Sequence, residues 1–146
     1  MSTPDKDTLE HMKMIQGVIT RLAGNSFTLK NWCITLVVAV MGFAAKERNV
    51  DERLVLVAFV PALIFWGLDG YYLWQERRFR ALFDAVRART PAIDPYSMNT
   101  KPVTGGGSWL GATFSKTLLF LYGTLLVALV VVVLVVEPAA TVSVTP

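Results

Sequence analysis

One cysteine, Cys33, and one histidine, His11, are all that this chain has of either residue. Neither an intramolecular disulfide nor a Cys/His zinc set can be built from them. Cys33 falls inside an apolar block, where a free thiol acts as a small hydrophobe. Residues 1–28 carry Asp5, Asp7, Glu10, His11, Lys13 and Arg21 and have no apolar run, unlike a cleavable leader, so the first hydrophobic stretch is expected to stay as an anchor. Catalytic groupings are lacking too. His11 has no nucleophile at motif spacing, and Gly105-Gly106-Gly107 has neither the Lys-Ser/Thr of a phosphate loop nor a preceding strand. No enzymatic activity, cofactor or metal is expected.

What the chain does have is apolar mass. Over 146 residues it is 53% hydrophobic with a mean hydropathy of +0.48, above the roughly 45–50% apolar usage of soluble domains. An all-α integral membrane protein with three spans is the expected fold. Leu118–Val136 holds nineteen residues without a charge, close to the ~20 that cross a ~30 Å hydrocarbon core. Residues 54–74 form a second span, in which Pro61 falls in the second turn and Asp69 toward the far end, where each costs least. Residues 27–45 form the first, provided Lys30 snorkels to the headgroups.

Four Lys and Arg precede Trp32, three lie in 46–53, seven in 75–117 and none after 136. Basic segments stay inside. The expectation is a cytoplasmic arm over 1–26, an external turn at 46–53, a cytoplasmic extension over 75–90, a flexible cytoplasmic linker and interfacial segment over 91–117, and an external tail over 137–146. Trp32, Tyr71, Tyr72, Trp74, Trp109 and Tyr122 all fall near the cytoplasmic boundary, as an aromatic belt would. Trp32, Trp74, Trp109 and the basic Arg77, Arg78 and Arg80 are therefore candidates for contact with anionic headgroups. No second basic aromatic surface suggests nucleic acid.

Leu9, Met12, Ile15, Ile19 and Leu22 recur every three or four residues, an amphipathic helix, and Phe79, Leu82, Phe83 and Val86 make a second stripe that ends at Thr90-Pro91. If the first two spans form an antiparallel hairpin, residues at equal depth have numbers adding to about 99, since both helices rise ~1.5 Å per residue. Lys30 then faces Asp69, Arg21 faces Glu76, Lys13 faces Asp84, Glu10 faces Arg87 and Asp7 faces Arg89. The other reading is a set of solvated faces, and exposed pairs would add only about 0–1 kcal/mol each. Gly24-Asn25-Ser26 leaves open a break that would lay the first arm flat on the membrane. Small and polar stripes, Asn31-Thr35-Ala39-Gly42, Ala58-Ala62 and Thr124-Ala128, suit close helix packing, within one chain or between copies, and Asn31, Thr35 and Asp69 could face a conduit.

The segments HMKMIQGVITRLAGNSFTLKNW (11–32) and FWGLDGYYLWQERRFRALFDAVR (65–87) resemble small bacterial membrane effectors of the SLATT type, found beside immune signalling genes. The likeness covers roughly residues 10–90 and rests on order and character, without a short diagnostic motif. It implies an inner-membrane homo-oligomer that perforates or depolarises the membrane in antiphage defence when a cytoplasmic partner senses infection. The third span and the absence of a sensor domain depart from that pattern. A non-conducting anchor for a cytoplasmic enzyme is the alternative, and a transporter subunit or holin-like protein the third.

Overall fold

The structure is a computed structural model that describes residues 6–44, 52–91, 93–94 and 96–141. Among them every regular element is helical: α1 (Lys6–Ala44), α2 (Glu52–Arg87), α3 (Trp109–Thr113) and α4 (Lys116–Thr141). Three of these are long and apolar enough to cross a membrane, over Lys6–Phe43, Leu56–Arg87 and Lys116–Leu134. Most of the turn expected at 46–53 lies outside the described residues, as do residues 142–146 of the expected tail. Of the residues expected in the tail, 137–141 continue the helix α4.

Arm and span form one helix in α1, which has 39 residues and no break at Gly24-Asn25-Ser26. Apolar anchors on both sides, Ile19 and Cys33, are buried, and they outweigh the ~1 kcal/mol propensity cost of a helical glycine. At ~1.5 Å per residue such a helix is about 58 Å long, nearly twice a hydrocarbon core. α2 likewise joins span and extension without interruption, Pro61 included. Its end is a C-terminal cap in which the Thr90 N–H donates to the Ala85 carbonyl and the Arg89 N–H to that of Val86. Arg89 takes the left-handed position (φ 52°) that glycine usually fills, and Pro91 follows where a helix cannot continue.

The chain divides into two compact units, Met1–Phe27 with Gly70–Thr113 and Thr28–Asp69 with Phe114–Pro146. In the first, Ile15 and Ile19 of α1 and Leu82 and Val86 of α2 form a buried cluster, so the amphipathic arm packs on the extension of α2. The segment after α2 is not the open, flexible link expected from its prolines and glycines. Ile93, Met98 and Val103 pack against the same cluster, because three apolar side chains spaced along it can be withdrawn from water. Gly106 sits so close to α2 that a Cβ would lie 2.8 Å from Arg78 Cγ and 3.1 Å from its Cα, with φ +93°. Only glycine fits both demands. Ser108 caps α3 through its Oγ to the Gly111 N–H at 3.0 Å. At Gly70 a Cβ would lie 2.8 Å from the Thr113 Cα, so the missing side chain lets α3 press onto α2.

The second unit also buries apolar residues, but its surface is apolar as well. Cys33 and Val37 of α1, Ala58 and Ala62 of α2, and Leu118 and Leu129 of α4 are buried, while Val38, Leu63, Phe120 and Val131 are exposed. Only 11%, 22% and 17% of the residues in the most apolar stretches of α1, α2 and α4 are buried.

Candidate functional site

Inside this second unit lies a polar centre. Asp69 and Tyr122 are both at 0% exposure. Lys30 Nζ stands 2.6 Å from Asp69 Oδ2, with the lysine side chain 22% exposed. The Tyr122 hydroxyl donates to the same carboxylate oxygen at 3.2 Å and lies 3.4 Å from the Phe65 carbonyl. Helical spacing produces the convergence. On α4, Leu118, Tyr122 and Leu129 share the buried face, and on α2 Ala58, Ala62 and Asp69 do so, with Trp66 half-buried beside them. Trp66 stacks on the Tyr122 ring at 6.1 Å and 12° and meets Phe114 edge-on at 5.4 Å.

Such an arrangement sets a half-buried ammonium against a fully buried carboxylate and gives the carboxylate a second donor. Burying the pair costs desolvation that only good geometry and further hydrogen bonds offset, and both are present. What it does is fix α1, α2 and α4 in one register. Among the described residues no three His, Cys, Asp or Glu side chains gather to hold a metal.

The rest of the expected charge ladder is not formed. Glu76 pairs with Arg80, four residues on in α2, and Asp84 pairs with Arg87 at 3.3 Å. Among the described residues no ion pair joins Arg21 to Glu76, Lys13 to Asp84 or Glu10 to Arg87, and Arg21, Lys13, Glu10 and Asp7 are exposed. Depth matching ignores azimuth. The apolar cluster takes the face between the arms, and the charges are left to find partners along their own helix.

The small-residue stripes divide. Ala58 and Ala62 pack within the chain, whereas Asn31, Thr35, Ala39 and Gly42 on α1 and Thr124 and Ala128 on α4 are exposed. Thr35 returns its hydroxyl to the Asn31 carbonyl at 2.8 Å. Of the three residues expected to face a conduit, Asp69 is buried and Asn31 and Thr35 are exposed. Trp32 and Trp109 are exposed, and Trp74, Arg77 and Arg78 are half-buried.

Two participants escape sequence reasoning. Tyr122 reads as a belt aromatic, and only its position on the Leu118–Leu129 face of α4 hints that it turns inward. His11, buried in the first unit, places Nε2 2.9 Å from the Ser97 carbonyl and its ring 5.9 Å from Tyr96, tying α1 to the segment after α2. No spacing rule links residues so far apart in the chain. No family model, curated protein or solved structure matches this chain.

Proposed function

We propose that this chain is a non-enzymatic, multi-pass protein of the bacterial inner membrane that self-associates and alters membrane permeability under the control of a cytoplasmic partner, in antiphage defence. The observation that carries the membrane reading is the outward apolar surface of α1, α2 and α4, since exposed Val, Leu and Phe in such numbers on helices of spanning length suit lipid as solvent. The distribution of Lys and Arg supports a cytoplasmic N-terminus and an external C-terminus. The exposed Asn31-Thr35-Ala39-Gly42 face supports association between copies, because small side chains let two helices approach and a polar one prefers a protein partner to hydrocarbon. The permeability step rests on the resemblance of 11–32 and 65–87 to effectors of the SLATT type.

A voltage-sensitive dye followed in cells that express the chain with and without its gene neighbours tests this reading. Depolarisation only when trigger and partner are both present is the expected result. A polarised membrane under every trigger would sink it. One observation favours the rival anchor role: the carboxylate that could have lined a path, Asp69, is fully buried and bound by Lys30 and Tyr122. A stoichiometric soluble partner, copurified from a protein that leaves liposomes tight, would decide for the anchor.

A further inference from the structure

The first unit carries a cationic corner that the packing described so far leaves without a purpose. Arg80 and Arg87 spend their charge on Glu76 and Asp84. Among the described residues no carboxylate pairs with Arg77 or Arg78. Arg78 is nonetheless held in place. Its Cζ lies 4.9 Å over the Trp74 ring, and the Trp74 Nε1–H donates to the Gly107 carbonyl at 3.0 Å. The close approach of Gly106 to the Arg78 stem completes the enclosure. A guanidinium fixed by an aromatic face loses little freedom when it binds, and its planar fork matches a phosphate.

Exposed apolar and aromatic groups lie on the same helix and on the segment that approaches it. Tyr71, 6.0 Å from Trp74 between ring centroids, is exposed, and so are Trp109 and Leu110. On α2, Trp74 immediately follows the apolar run that ends at Leu73. Aromatic rings at that level suit the headgroup layer of a bilayer, where an Arg faces lipid phosphate. The exposed apolar surface of Trp109 and Leu110 suits acyl chains better than a soluble polyanion.

We propose that Arg77, Arg78, Trp74 and the 106–110 segment form a binding site for the phosphate of an anionic phospholipid. The inference rests on the chain spanning a bilayer. The phosphodiester sits against the two arginines, and the acyl region runs past Trp109 and Leu110. Because Gly106 and Gly107 belong to the segment that packs on the arms, lipid occupancy also fixes that segment on α2.

The test uses full-length protein in vesicles of phosphatidylcholine alone and of phosphatidylcholine with phosphatidylglycerol. Flotation reports insertion, and native mass spectrometry of released complexes reports retained lipid. Wild type is expected to float with both vesicles and to keep phosphatidylglycerol preferentially. R77Q and R78Q are each expected to lower that preference about fivefold, with R80Q near wild type because its charge is already matched. Gly106→Ala, which changes no charge, lowers it less but measurably. Flotation without any preference, or equal losses for R80Q and R78Q, overturns the site and leaves the membrane reading standing. Failure to float overturns both. Displacement of the lipid by inorganic phosphate at matched ionic strength reassigns the corner to a soluble anion and overturns the lipid.

Discussion

In the unit of Met1–Phe27 and Gly70–Thr113, Ile15 and Leu82 are inside while Lys13 and Glu10 are outside; in the unit of Thr28–Asp69 and Phe114–Pro146, Asp69 and Tyr122 are inside while Val38 and Phe120 are outside. The same two helices, α1 and α2, run through both. What lies on the surface therefore differs between the units rather than between the helices, and the proposed membrane setting of the second accounts for it. Where water surrounds a fold, the hydrophobic effect puts branched apolar side chains in the core. Where the surroundings are apolar, hydrophobic burial has nothing to drive it, and small residues, close packing and polar pairs hold helices together.

That contrast can be broken most severely at Asp69. Asp69→Ala leaves the Lys30 ammonium without its carboxylate, and a loss of about 3–5 kcal/mol is expected, read as a fall in the unfolding midpoint in detergent. The double variant Lys30→Met, Asp69→Leu is expected to recover most of that stability, since an apolar replacement of a buried pair is often neutral. A double variant as weak as the single one would mean that the pair does more than fix helix register.

Leu82→Ala probes the opposite kind of core. With Leu82 at 0% exposure, a cost of about 2–5 kcal/mol is expected, with hydrogen exchange rising over 6–27 and 70–103. A change confined to α4 would contradict the division into units.

Surface substitutions sharpen the comparison further. Val127 is 63% exposed on α4 and Met14 is 44% exposed on α1. Val127→Lys is expected to oppose insertion by about 2.5–3.5 kcal/mol, measured by membrane partitioning. Met14→Lys should stay within about 0.5 kcal/mol. Equal behaviour of the two would argue that α4 meets water. Between those two effects lies the one expected at His11→Phe. It keeps the ring but deprives the Ser97 carbonyl of its donor, at about 1–2 kcal/mol, read as faster proteolysis between 93 and 103 with the second unit unaffected.

Much of this was legible without coordinates. Runs of Val and Leu without charge mark the spans, and the three- and four-residue recurrence from Leu9 to Leu22 marks the arm, because both depend only on local composition and helical pitch. Lys30 with Asp69 was within reach because the two ionisable groups stand at matching depth inside apolar stretches. The pairs drawn from Arg21 to Glu76 and from Lys13 to Asp84 failed because depth fixes height along a helix and leaves rotation about it open. A segment with Pro91, Pro95, Pro102 and three consecutive glycines reads as a tether. Nothing local says that Ile93, Met98 and Val103 will find the arm cluster, or that Gly106 is there to approach Arg78.

From its sequence alone this chain determined that it would be helical and where its apolar stretches run, since backbone propensity and side-chain transfer free energies act residue by residue. Only the tertiary structure decided that Tyr122 turns inward to Asp69, that His11 meets Ser97, and that the glycine segment closes over α2. Those choices depend on which faces meet once several helices compete for the same contacts, and that is a property of the packed ensemble rather than of any one stretch.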